Sequence, residues 1–278
     1  MKNIHLHLVS DSTGETVNAV ARATMAQFDE IEAEEHNWSL IRTIGQVEKA
    51  LEGIRKNPGF VMYTLVDPKL RKVLKKGCED MSIPCISVLS RVVSDMSWFL
   101  GIKANESVGG RQHELDDQYF SRVEALNYSL AHDDGQSVWD LDEADIIIVG
   151  ASRTSKSPTS MYLAHRGYRT ANVPYVPGVT LPESLFSLKT PLVVGLTISP
   201  EALIQIRKNR LLSLNEDENT MYTDRETIRE ELLDAKKMFA KYKWPSIDVT
   251  RRSIEETSAT IIQYFERHRE KLKTARKA

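Results

Sequence analysis

Cysteine is nearly absent from this chain: among 278 residues there are two, Cys78 and Cys85. Their spacing matches no zinc knuckle and no redox pair. They read as reduced packing residues, one ending a helix and the other opening a buried strand. Long apolar runs are also missing. No stretch approaches the roughly 20 apolar residues of a spanning helix, and the opening MKNIHLHLVSDSTGE lacks the apolar core of a secretory signal. A cytoplasmic protein without a membrane partner is expected. Neither charge dominates: Lys and Arg total 37, Asp and Glu 39, and the formal net charge is −2. That balance argues against a general affinity for nucleic acid or anionic membrane. Internal repeats and low-complexity segments are lacking too.

What remains is the composition of a core-forming protein, 41% hydrophobic and 27% charged, long enough for two ordinary domains or one large one. Strand and helix signals alternate. IHLHLVS (Ile4 to Ser10) reads as a strand, followed by a helix carrying Val17, Val20, Ala21, Met25 and Phe28. WSLIRTI (Trp38 to Ile44) is the expected second strand. FVMYTLV and PCISVLS follow as further strands, each preceded by a helical stretch. The rhythm breaks between Val93 and Glu143 and restarts with the apolar run at Ile146. The fold class expected is α/β with two α/β lobes. An N-terminal α/β domain spans 1–100, a connecting segment 101–143, and a P-loop-kinase-like domain with a mainly parallel sheet 144–278.

The most informative stretch is GASRTSKSPTS, directly after that strand. Phosphate needs inward-pointing N–H groups, a helix N-terminus and a cation. The residues Gly150, Ala151, Ser152, Arg153, Thr154, Ser155, Lys156 and Ser157 can supply all three. Gly150 allows the sharp exit from the strand, Lys156 reaches the transferred phosphate, and Ser157 is placed to hold Mg²⁺ or a phosphate oxygen. Arg153 is a second cation. The usual loop is G-x-x-x-x-G-K-[ST], and Ser155 stands where its second Gly belongs, a position that is strained for Ser. An ordinary Ser/Thr-rich turn is the alternative.

Two other clusters invite a similar comparison. SDSTGETV (Ser10 to Val17) offers hydroxyls at a helix start, for an anion or, more simply, for capping by Asp11, Ser12 or Thr13. HDDG (His132 to Gly135) brings two carboxylates, Asp133 and Asp134, that can take a hydroxyl proton or hold Mg²⁺, or merely end a helix. Arg207 and Arg210 lie one turn apart, as phosphate ligands or surface ion pairs. Ser253 and Glu256 have capping-box spacing, and Lys72, Lys75 and Lys76 form a solvated helix face.

Taken together, LVSDSTGETV, YFSRVEALNYSLAHDDG, VGASRTSKSPTSMYLAHRGYRTANVPYVPG, GLTISPEALIQIRKNR and WPSIDVTRRSIEETSATII resemble one family nearly end to end. It comprises the pyruvate, phosphate dikinase regulatory proteins and the similar phosphoenolpyruvate synthase regulatory proteins. The resemblance implies a bifunctional enzyme. It phosphorylates a threonine of the dikinase with ADP as donor. It also removes that phosphoryl group with inorganic phosphate, releasing pyrophosphate. It further implies that the nucleotide loop is Gly150 to Ser157. With ADP as donor, phosphoryl-transfer chemistry puts Lys156 over the β-phosphate and Arg153 beside it, with Asp133 or Asp134 as candidate base and Asp11 behind them. The Thr154-Ser155-Lys156 form is more similar to the dikinase branch. The same activities on phosphoenolpyruvate synthase, an ATP-dependent small-molecule kinase, and a non-catalytic nucleotide sensor are the alternatives. The docking surface for the protein substrate, to which Gly109, Gly110 and Arg111 are candidate contributors, and self-association are left open by the sequence.

Overall fold

A computed structural model describes residues 2–104, 117–135, 137, 139–215 and 220–275. Gly109, Gly110 and Arg111 lie outside them. The chain divides into two compact units, Met1–Glu114 and Leu115–Ala278. Each is built on a four-stranded, all-parallel sheet.

In the first unit β1 (Lys2–Val9) lies between β2 (Ile31–Trp38) and β3 (Phe60–Tyr63), with β4 (Cys85–Ser87) outside β3. The helices α1 (Glu15–Met25), α2 (Ile44–Lys56) and α3 (Pro68–Asp80) connect successive strands, and α4 (Ser90–Leu100) follows β4. One apolar layer packs Leu6, Leu8 and Met62 against Val17 and Ala21 of α1. The other packs Val9, Val61 and Tyr63 against Val47, Leu51 and Ile54 of α2 and Leu74 of α3. Cys78 and Cys85 are free thiols within this second layer.

The second strand corrects the reading of WSLIRTI. The strand is IEAEEHNW, and it ends where the expected one begins. It pairs with β1 alone, as an edge, so it carries Glu32, Glu34, Glu35 and Asn37 instead of an apolar run. WSLIRTI instead turns the chain. Leu40 takes a left-handed φ of 58°, the Ile41 N–H donates to the Ser10 carbonyl, and Thr43 caps α2 in a capping box with Gln46.

The second unit repeats the same strand order. β5 (Ile146–Gly150) is flanked by β6 (Thr170–Pro174) and β7 (Leu192–Thr197), with β8 (Ser246–Asp248) outside β7. Every residue of β5 and β7 is buried, which explains their near-continuous Ile and Val content. α6 (Lys156–His165) follows β5, α7 (Pro200–Ser213) and α8 (Arg225–Lys241) join β7 to β8, and α9 (Ile254–Ala275) closes the unit. Ser253 and Glu256 form the expected capping box at its start. α5 (Asp117–Ala131) packs on α6 and β6, and the Thr170 N–H donates to the buried Ser129 hydroxyl. The described residues between 117 and 143, expected in the connecting segment, thus belong to the second unit.

Candidate phosphate-binding site

In a doubly wound sheet the ligand crevice opens at the carboxyl ends of the strands, where neighbouring connections leave in opposite directions. In the second unit that point is the end of β5, between β6 and β7, and residues 150–156 occupy it. Gly150 is required by close approach: a Cβ there would lie 2.7 Å from the Leu196 carbonyl oxygen and 2.9 Å from Thr154 Oγ1. The Thr154 hydroxyl, fully buried, donates to the Ala151 carbonyl and folds the loop back on itself (2.9 Å).

Two non-glycine residues of this loop are left-handed, Arg153 at φ 71° and Ser155 at φ 61°. Ser155 thus takes the conformation for which the usual loop employs Gly, at a cost of about 1–2 kcal/mol. It is the N-cap of α6 and makes no side-chain cap hydrogen bond. By contrast α2, α3, α7 and α8 begin with a capping Thr43, Asp67, Ser199 and Asp224. The Ser155 hydroxyl thus leaves the first N–H groups of α6 uncapped, an arrangement that suits an anion.

Lys156 is buried, and its Nζ donates to the Ala151 carbonyl across the loop (3.0 Å). Burial pulls its pKa from 10.5 down to about 8; Asp134, Asp133 and Glu231 pull upward and Arg207 downward. Such an amine, desolvated and held by one carbonyl, gains strongly from an arriving phosphate. Arg153 is exposed at the rim.

Next to the loop, the Asn172 amide on β6 donates to Ser157 Oγ (2.9 Å) and to Asp133 Oδ1 (2.6 Å). This link was not legible in the sequence. It couples the proposed metal-holding hydroxyl to one of the carboxylates. Asn172 is fully buried, and among the described residues its Oδ1 has no partner. Asp133 and Asp134 sit on a tight turn packed on β6, with Asp134 left-handed at φ 54°. The turn is anchored by His132, whose ring nitrogens face the Tyr128 carbonyl and Asp140 Oδ1, both at 2.7 Å. His132 is thus a support, buried against the Tyr128 ring.

The two arginines of α7 diverge. Arg210 is exposed. Arg207 is buried and forms a two-pronged pair with Glu231 (2.8 and 2.9 Å). It also donates to the carbonyls of Ser152 (3.3 Å) and Tyr222 (3.2 Å) and lies over the Tyr222 ring. It braces the loop from behind.

Asp11 belongs to the first unit. Its Oδ2 accepts the Val66 N–H (2.7 Å), and its carbonyl accepts from Arg42 Nε. The N-cap of α1 is not Asp11, Ser12 or Thr13, as expected, but Gly14, at φ 89°. Ser10 Oγ instead accepts from the Ser12 N–H and the Thr64 hydroxyl.

The residues present fit a phosphate donor with Mg²⁺. The loop is narrow enough to exclude a Cβ at Gly150, it has a buried amine and uncapped amides, and an amide ties a carboxylate to Ser157. Among the described residues no helix is long and apolar enough to cross a membrane.

The kinase/pyrophosphorylase family profile matches residues 6–262. A pyruvate, phosphate dikinase regulatory protein of Paramagnetospirillum magneticum is 53% identical over 98% of this chain and 87% of its own length. Those of Caulobacter vibrioides (54%, over 93% and 82%) and Anaplasma phagocytophilum (48%, over 97% and 96%) are similar. Among solved structures, a leucine-binding protein of Thermotoga maritima aligns at 12% identity with a TM-score of 0.26, over 84% of this chain and 67% of that one, too low for a shared fold. By the profile and these identities, the chain belongs to the kinase/pyrophosphorylase family.

Proposed function

We propose that this protein is a cytoplasmic bifunctional regulator of a pyruvate, phosphate dikinase. It phosphorylates a dikinase threonine with ADP and removes the phosphoryl group with inorganic phosphate. The target is taken from the names of the relatives, and the chemistry from the family. The observation that carries the site assignment is the Gly150–Lys156 loop: a left-handed Ser155 opening an uncapped helix, beside a buried lysine.

In the forward direction the threonine oxygen attacks the β-phosphorus of ADP. The bond from that phosphorus to the α–β bridging oxygen breaks, AMP leaves, and the hydroxyl proton passes to Asp133 or Asp134. In reverse, an oxygen of inorganic phosphate attacks the phosphothreonine phosphorus, pyrophosphate forms, and the threonine oxygen takes a proton back. Both directions load the same centre with negative charge, so positioning and charge neutralisation do most of the catalysis. Lys156 and the first amides of α6 hold the oxygens of the transferred group, and Arg153 faces the charge from the rim. Mg²⁺, held by Ser157 with Asp133 or Asp134, would supply further charge neutralisation.

The test is transfer from ADP labelled in its β-phosphate to a dikinase, with adenylate kinase excluded and labelled ATP in parallel. Label on a threonine from ADP, lost in Lys156→Ala, followed by pyrophosphate release on adding phosphate, is expected. Transfer from ATP alone, to a small acceptor, would overturn the reading.

A further inference from the structure

The first unit carries a second cluster that the phosphate chemistry does not use. On one face of its sheet, parallel pairing sets His5 opposite Glu34 and His7 opposite His36. Side chains two residues apart share a face, so both histidines of β1 and both ligand-type residues of β2 project together. Among the described residues, His5, Glu34 and His36 converge with one ligand atom each, all within 4.8 Å of one another.

The separations lie close to those between the ligand atoms of a bound metal ion. His5 Nδ1 and His36 Nε2 are 3.1 Å apart, His5 Nδ1 is 3.5 Å from Glu34 Oε2, and His36 Nε2 is 3.8 Å from Glu34 Oε1. Tetrahedral zinc with bonds near 2.0–2.1 Å separates its ligand atoms by about 3.3–3.4 Å. The observed values bracket that distance, so shifts of a few tenths of an ångström complete the site.

The surroundings hold the ligands in place. The His36 ring stacks on His7, with centroids 4.6 Å apart and planes 16° apart. His7 is fully buried and locked by two partners. Trp38 Nε1 donates to its Nδ1 (3.2 Å), so its proton sits on Nε2, which donates to the Asn57 carbonyl (2.8 Å). His7 is therefore a neutral platform for His36 and not a ligand. Gly59 lets the chain pass against His5: a Cβ there would come within 2.0 Å of the His5 carbonyl oxygen. A ring orientation fixed by packing outside the ligands is what a protein metal site requires.

We propose that His5, His36 and Glu34 bind a divalent zinc ion. Two imidazoles and one carboxylate favour zinc over magnesium or calcium, which take all-oxygen sets. Three protein ligands leave a fourth position for water. The ion would tie the polar edge strand β2 to β1.

The test uses the full chain without a histidine tag, stripped of metal and titrated with cobalt(II) as a spectroscopic probe, then with zinc. The expected result is one equivalent of cobalt with the intense visible absorption of four-coordinate geometry, displaced by one equivalent of zinc. His5→Ala and His36→Ala should abolish that band, Glu34→Gln should weaken binding at least ten-fold, and His268→Ala, in the other unit, should change nothing. If His36→Ala fails to fold by circular dichroism, His36→Gln keeps the stacking volume and takes its place. Absence of the band, or a band that survives both histidine variants, would show an ordinary hydrogen-bonded histidine pair and overturn the proposal.

Discussion

The loops after β1 and β5 occupy the same place in two copies of one topology, yet they are chemically opposite. Both leave the central strand of a four-stranded parallel sheet, and both start a helix from a left-handed residue without a side-chain cap: Gly14 for α1 and Ser155 for α6. In neither does the N-cap side chain accept from the first helical amides. They differ in the sign of the charge that each buries. The first loop buries Asp11, whose carboxylate accepts the Val66 N–H. The second buries Lys156, whose ammonium reaches the Ala151 carbonyl. A buried carboxylate repels an approaching phosphate, and a buried ammonium attracts one. Topology repeats the loop position, and the buried side chain sets its charge: negative at Asp11, positive at Lys156.

The sharpest break of this comparison is Lys156→Met. Loss of the buried cation should lower kcat/KM for ADP by roughly 10²–10³ or more. The same change should leave the fold as stable or more stable. A fall from 10.5 to about 8 means the charged form is disfavoured by roughly 3 kcal/mol. Below pH 8 the folded chain carries that cost in full. Between about 8 and 10.5 the unfolded chain still holds the proton that the folded chain has lost, so stability rises with pH. In Lys156→Met that rise should disappear, which denaturation at pH 7 and pH 10 would reveal. In the wild type, ADP affinity should decline as pH passes about 8, because the neutral amine no longer attracts phosphate.

Next in size is the brace behind the second loop. Arg207→Ala strands Glu231 in a buried site and should destabilise by about 3–5 kcal/mol, as measured by urea denaturation. Arg207→Met with Glu231→Leu should recover most of that stability but not nucleotide affinity, since the donor to the Ser152 carbonyl is gone. Asn172→Ala unlinks Ser157 from Asp133 and should cost about 1–3 kcal/mol of stability. It should also lower the transfer rate more than it weakens ADP binding.

The smallest effect sharpens the backbone half of the comparison. Ser155→Gly gives the second loop the residue that the first already has. It should raise stability by about 1 kcal/mol and leave ADP affinity within a few-fold. Marked loss of binding would mean that the Ser155 side chain, and not its backbone angle, serves the site.

The sequence made the second loop legible because its signal is local: an apolar strand, then Gly150 to Ser157 in order. The buried strands β3, β5 and β7 were legible for the same reason, as continuous apolar runs. The edge strand β2 was not. With one neighbour and a polar sequence, its strand character comes from pairing with β1. The bracing pair Arg207–Glu231 and the Asn172 link were hidden because their partners come from separate elements, 15 to 39 residues away in the chain. The N-cap expected at Asp11, Ser12 or Thr13 fell instead to Gly14, while the Asp11 carboxylate met Val66 across the sheet end.

Calorimetric titration of ADP into the wild type, Lys156→Met and Asp11→Asn, all at pH 7, tests most directly the claim that charge separates the two loops. Binding abolished in Lys156→Met and kept within a few-fold in Asp11→Asn is the predicted result. Undiminished binding in Lys156→Met, with loss in Asp11→Asn, would place the nucleotide on the first lobe and contradict the assignment.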